Sequence, residues 1–117
     1  MSNYIRVFAD GYAYFITMVT YQRRPILCRH IALLKEAFKH SKEFFNYKID
    51  AIVVLPDHLH MIIVPENAEE YPRIIQSIKT YFSRNFPYRM SKTQLQINRR
   101  EAAIWQRRYY EHTVRNE

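Results

Sequence analysis

A chain of 117 residues with 48% hydrophobic and 15% aromatic side chains can pack one core but is too short for two ordinary domains, so a single domain over residues 1–117 is expected. One glycine and five prolines exclude collagen-like and low-complexity classes, and the single cysteine, Cys28, excludes an intrachain disulfide or a thiolate-rich zinc site, which favours a cytoplasmic setting. The net charge of +7 is unevenly placed: residues 1–72 hold eight basic and eight acidic side chains, residues 73–117 ten basic and three acidic, and so basic a segment makes nucleic acid the first partner to consider.

The amino terminus lacks the basic start, apolar core and small-residue cleavage site of a secretory signal. No stretch approaches the roughly 20 apolar residues of a membrane-spanning helix, so a soluble protein without a membrane partner is expected. Tyr12 to Tyr21, YAYFITMVTY, is dense in aromatic and β-branched residues and predicts a first strand. Gln22-Arg23-Arg24-Pro25 interrupts it. From His30 onward Ile31, Leu33, Leu34, Ala37, Phe38, Phe44 and Phe45 fall near a helical repeat, which predicts a first helix.

Tyr47 to Leu55, YKIDAIVVL, begins with alternation and ends as a continuous apolar run, predicting a strand that passes into the centre of a sheet. Pro56-Asp57 supplies a turn and His58 to Val64 a second β-rich run, so the pair reads as a hairpin. Glu69, Glu70 and Pro72 suit a helix start. Ile74, Ile75, Ile78 and Phe82 then form an apolar stripe that leaves Arg73, Lys79 and Arg84 toward solvent. Phe86-Pro87 closes this second helix, residues 88–100 read as a loop, and Ile104 to Val114 regains strand character. The order β-α-β-β-α-β is that of an α+β ferredoxin-like sandwich, an antiparallel sheet with two helices on one face.

Period-two geometry puts His58 and His60 on one face of their strand and Leu59 on the other, which is the arrangement of a bidentate metal grip. A His-x-His pair taken alone is more often structural or incidental. Its position directly after a turn, where the imidazoles can reach an open cleft, makes metal binding the better reading. Asp57 is first a turn residue and second a candidate acceptor that orients an imidazole. His112 is a candidate third ligand, with a hydrogen-bonded structural role as the competing reading. Arg23, Arg24, Arg73, Lys79, Arg84, Arg107 and Arg108 form the candidate phosphate-contacting set. Tyr109, Tyr110 or Trp105 could stack on unpaired bases, although Trp105 beside Ile104 reads first as a core anchor.

The segment VVLPDHLHMIIV resembles the His-hydrophobe-His signature of IS200-like transposases and the related REP-associated tyrosine transposases. YFITMVTYQRRPIL is similar to that family's first strand and arginine turn, and IWQRRYYEHTVRNE to its Trp-Gln, Glu-His and Val-Arg-Asn segment, so the likeness runs nearly end to end. The resemblance implies a ferredoxin-like nuclease in which His58 and His60 hold a divalent metal, magnesium or manganese, against the scissile phosphate of single-stranded or hairpin DNA. It further implies a nucleophilic tyrosine that forms a 5′-phosphotyrosine link, and a possible homodimer. In the family the segment ending here at Arg115-Asn116-Glu117 leads into a helix bearing that tyrosine and a polar metal partner. The expectation is therefore a chain that grips metal and DNA but is catalytically incomplete. No nucleophile is assigned among the ten tyrosines, Tyr110 being only a fallback. A non-catalytic nucleic-acid-binding module on the same scaffold is the alternative, and an inert remnant the third reading.

Overall fold

The computed structural model describes residues 12–88 and 104–114. Strand β1 (Ala13–Val19) leads through a 3-10 turn at Tyr21–Arg23 to helix α1 (Ile31–Ser41), then β2 (Tyr47–Val54), β3 (His58–Pro65), helix α2 (Tyr71–Asn85) and β4 (Tyr110–Val114). The sheet order is β2-β3-β1-β4 with every neighbouring pair antiparallel. Each helix therefore crosses one intervening strand: α1 joins β1 to β2 across β3, and α2 joins β3 to β4 across β1. This is the expected ferredoxin-like sandwich.

Alternation along the two central strands decides which face the helices cover. Tyr14, Ile16 and Met18 of β1 and Leu59, Met61 and Ile63 of β3 are buried, as are Leu34, Ala37 and Phe38 of α1 and Ile74, Ile75, Ile78 and Phe82 of α2. Fully burying one such aliphatic side chain stabilises the fold by about 1.5–3 kcal/mol, so this shared cluster holds the two layers together. The alternate residues, Phe15 and Thr17 on β1 with His58, His60 and Ile62 on β3, are exposed or half-buried and form a face left open among the described residues. Among the described residues no helix is long and apolar enough to cross a membrane.

Three boundaries differ from expectation. The strand Tyr47–Val54 lies at the edge of the sheet instead of its centre, with Ala51, Ile52 and Val53 exposed. A bulge explains the misreading: pairing passes from Ile49↔Ile63 to Ala51↔Ile62, so Asp50 is an extra residue and the apolar run distributes over both faces. The first helix stops at Ser41, where the Lys42 N–H donates to the Phe38 and His40 carbonyls, leaving Phe44 beyond it and largely exposed. The predicted final strand is shortened to Tyr110–Val114, preceded by an isolated bridge between Trp105 and Thr20. The intervening chain is held another way: Gln106 N–H donates to the Val19 carbonyl at 2.8 Å and the Lys79 ammonium to the Gln106 carbonyl at 2.8 Å. Trp105 is the core anchor expected of it, packed edge-on against Phe82 at 5.4 Å. Of the predicted loop over 88–100 all but Tyr88 lies outside the described residues, as does the amino-terminal segment 1–11.

Candidate metal centre

The site is built where the end of β1 meets the start of β3. Thr20, fully buried, fixes that junction: its N–H donates to the Asp57 carbonyl at 3.0 Å, and its hydroxyl lies 3.0 Å from the same oxygen and 2.8 Å from the Arg24 carbonyl. Leu27 N–H donates to the Pro56 carbonyl at 2.9 Å, so the 3-10 segment and the β2–β3 hairpin are stapled side by side. Within the 3-10 segment Gln22 and Arg23 take φ of 54° and 53°, a left-handed conformation that costs a non-glycine residue about 1–2 kcal/mol. That conformation accompanies an ion pair: Arg23 Nε donates to Asp57 Oδ2 at 2.8 Å.

The other oxygen of the same carboxylate, Asp57 Oδ1, lies 2.7 Å from His58 Nδ1. Hydrogen bonds from the His58 imidazole and then the Arg23 guanidinium hold the Asp57 carboxyl below its ordinary range. An ionised carboxylate can only accept, so the proton of this contact belongs to His58 Nδ1, and in the neutral ring the lone pair sits on Nε2. Two residues along the same strand, His60 Nδ1 lies 2.8 Å from Oγ1 of Thr17, its direct neighbour on β1 in the β1–β3 register. Where Thr17 accepts, Nε2 of His60 is likewise left with its lone pair. The two rings stand 4.9 Å apart at 80°.

Orientation of one ring nitrogen by an oxygen is the arrangement that prepares the other nitrogen for a metal. His58 and His60 thus fit a divalent ion through Nε2. Among the described residues no cluster of three or more His, Cys, Asp or Glu side chains comes together to hold one. A pair of imidazoles leaves coordination positions for water or substrate oxygens, unlike the four protein ligands of a closed structural zinc site.

The other predicted residues divide by location. Arg23 is engaged at the site through Asp57, and the Arg24 guanidinium lies 5.5 Å over the Tyr21 ring. Arg107 and Arg108 are exposed on the segment leading into β4. Arg73 and Arg84 lie on α2, in the layer behind the sheet, and do not converge on the histidines. Lys79 contacts backbone carbonyls of Gln106 and Arg107, a structural tie not anticipated for it. His112 stands opposite Phe15 in the β1–β4 register, but its side chain lies outside what is described. Tyr109 is half-buried against the core, Tyr81 is stacked on His40 at 4.6 Å, and Tyr110 is exposed on the open face. Thr17 was not anticipated at all. Its signal was a hydroxyl at a strand position otherwise surrounded by Phe15, Ile16, Met18 and Val19.

Fold and site together define a ferredoxin-like domain that presents a His-hydrophobe-His pair on the sheet face opposite its two helices. A family model described as "Transposase IS200 like" matches residues 9–117, and the chain belongs to that family. It is 38% identical over 122 residues to the "Putative REP-associated tyrosine transposase" of Haemophilus influenzae, covering 100% of this chain and 68% of that protein. It is 30% identical over 118 residues to the REP-associated tyrosine transposase of Escherichia coli K12, covering 99% of this chain and 64% of that protein. A solved REP-associated tyrosine transposase bound to a REP hairpin superposes with a TM-score of 0.74 at 28% identity, over 100% of this chain and 64% of that one. The chain thus spans about two thirds of the length of these relatives.

Proposed function

We propose that this chain supplies the metal and DNA grips of a single-strand DNA transposase, binding single-stranded or hairpin DNA across the open face of the sheet with a divalent ion held by His58 and His60. The observation that carries this reading is that both Nδ1 atoms are already taken up by Asp57 and Thr17, on a face that no helix covers among the described residues. A bound Mg²⁺ or Mn²⁺ supplies positive charge that polarises a phosphate oxygen. The chain's own residues do the rest of the positioning. Asp57 and Thr17 fix the two rings, Arg23 fixes Asp57, and Arg107 with Arg108 attracts the backbone phosphates on either side.

In the reaction so prepared, a tyrosine oxygen bonds to phosphorus, the bond from phosphorus to the 3′ oxygen breaks, and a 5′-phosphotyrosine and a free 3′-hydroxyl result. No tyrosine of this chain is assigned that role. The test mixes the protein with Mn²⁺ and a single-stranded hairpin oligonucleotide and reads binding and covalent adduct separately. Expected are salt-sensitive, chelator-sensitive binding and no adduct. An adduct that disappears in Tyr110→Phe would make Tyr110 the nucleophile. Binding indifferent to chelator and to the His58→Ala, His60→Ala double substitution would replace the reading with a metal-independent nucleic-acid module.

A further inference from the structure

Two aromatic rings on the open face are not accounted for by the core. Phe15 lies in the middle of β1 yet is 37% exposed, and Tyr110 at the start of β4 is 64% exposed. In the β1–β4 register Tyr110 stands opposite Thr17 and Phe15 opposite His112, so Phe15 and Tyr110 are diagonal neighbours on adjacent strands. Diagonal positions lie about 7–8 Å apart. That is about the sum of two van der Waals contacts of about 3.5–4.0 Å each, so rings standing upright from these positions leave room for one flat ring between them.

The same positions border a cavity. Phe15, Thr17, Tyr110 and Glu111 line a groove of about 460 Å³. Two of its lining residues contact His60: Thr17 hydrogen-bonds it, and the Phe15 ring is stacked on the His60 ring at 5.5 Å and 23°. The groove therefore begins one strand spacing, about 4.8 Å, from the strand that carries His60.

We propose that this groove receives one unpaired nucleobase of the DNA strand, held between Phe15 and Tyr110, and thereby selects which phosphate reaches His58 and His60. The inference rests on the reading of the open face as a DNA site. The chemistry of the surroundings favours a base over an apolar peptide. Phe15 and Tyr110 give the groove flat apolar walls, while the exposed Arg107 and Arg108, just before Tyr110 in sequence, attract phosphates beside it. A flat apolar ring joined to an anionic backbone matches both. Stacking of this kind tolerates any base, so the groove sets the register of the strand rather than its sequence.

The experiment uses single-stranded oligonucleotides carrying 2-aminopurine at successive positions, in the presence of Mn²⁺, since stacking quenches that base's fluorescence. One position is quenched on binding, and Phe15→Ala or Tyr110→Ala relieves the quench and weakens binding roughly 5- to 150-fold. Phe15→Tyr and Tyr110→Phe recover both relative to the alanine variants. Phe15→Leu and Tyr110→Leu keep apolar bulk but lose the flat ring, and a quench lost in variants whose thermal melts show a folded protein separates stacking from packing. Binding in which no position is quenched, or a quench that survives both alanine variants, overturns the base slot and leaves the DNA reading standing. Failure to bind any of the oligonucleotides overturns both.

Discussion

The two sides of this molecule use similar residues and build different things from them. On the open face His58 and His60 share one strand, and each has its Nδ1 within hydrogen-bond distance of an oxygen on a neighbouring residue or strand. On the helix side a groove of about 590 Å³ between α1 and α2 is lined by His40, Phe44, Tyr81, Arg73 and Arg84 among others. There the imidazole of His40 lies on Tyr81 at 4.6 Å and edge-on to Phe44 at 5.2 Å, with the Glu43 carboxylate 4.0 Å away. That last distance is too long for a hydrogen bond. Histidine, aromatic ring and arginine are thus present on both sides, and what distinguishes the open face is a second histidine in register with an oxygen behind each ring.

The contrast is broken most directly at the rings themselves. Replacing both His58 and His60 by alanine should weaken Mn²⁺ binding, followed by isothermal titration, at least about 100-fold, whereas His40→Ala should leave it unchanged. Equal losses in the two proteins would erase the distinction between the faces. The oxygens come next: Asp57→Ala should cost about 10–100-fold in Mn²⁺ affinity, with Thr17→Val toward the lower end, in protein whose thermal melt shows it folded. Full affinity in both would mean that the hydrogen bonds at Nδ1 are incidental.

Arginine placement sharpens the same comparison for DNA. Each of Arg107→Ala and Arg108→Ala should reduce the slope of log affinity against log salt by about 1. Arg73→Ala and Arg84→Ala, behind the sheet, should leave the slope as it is. The smallest effect is acid-side stability. Because the Asp57 carboxyl is held below its ordinary range, the folded chain binds this proton less readily than the unfolded one. Its contribution is therefore present above about pH 4 and lost as pH falls further through the folded value. Urea midpoints measured from pH 5 downward should fall less steeply in Asp57→Asn than in the parent, and parallel curves would count against the role assigned to this carboxylate.

How much of this was legible in the sequence follows from the range of the interactions involved. Element order and the helix-covered face were legible because period-two and period-3.6 patterns are local, as along Tyr14, Ile16 and Met18 or Ile74, Ile75 and Ile78. Edge placement of β2 was not, because one extra residue at Asp50 changes the phase of the alternation without changing its composition. The short final strand was hidden for a related reason. Ile104 and Trp105 are apolar because they pack under α2, not because they continue a ladder. At the site, the two histidines and Asp57 are adjacent in the chain and could be grouped by spacing alone. Thr17 lies 43 residues from the histidine it touches and Arg23 lies 34 from Asp57, so both partnerships depend on sheet register and on the Thr20 staple.

The central position of β1 and β3 has a kinetic consequence. These strands are paired on both sides, and the core-facing residues Tyr14, Ile16, Met18, Leu59, Met61 and Ile63 are fully buried. Amide hydrogens at their paired positions should exchange with solvent only through global opening, while those of the edge strand β4 exchange through cheaper local fraying. The histidine pair then persists for the lifetime of the folded state. Tyr110 stands on the side that can part from the sheet and close again many times within that lifetime.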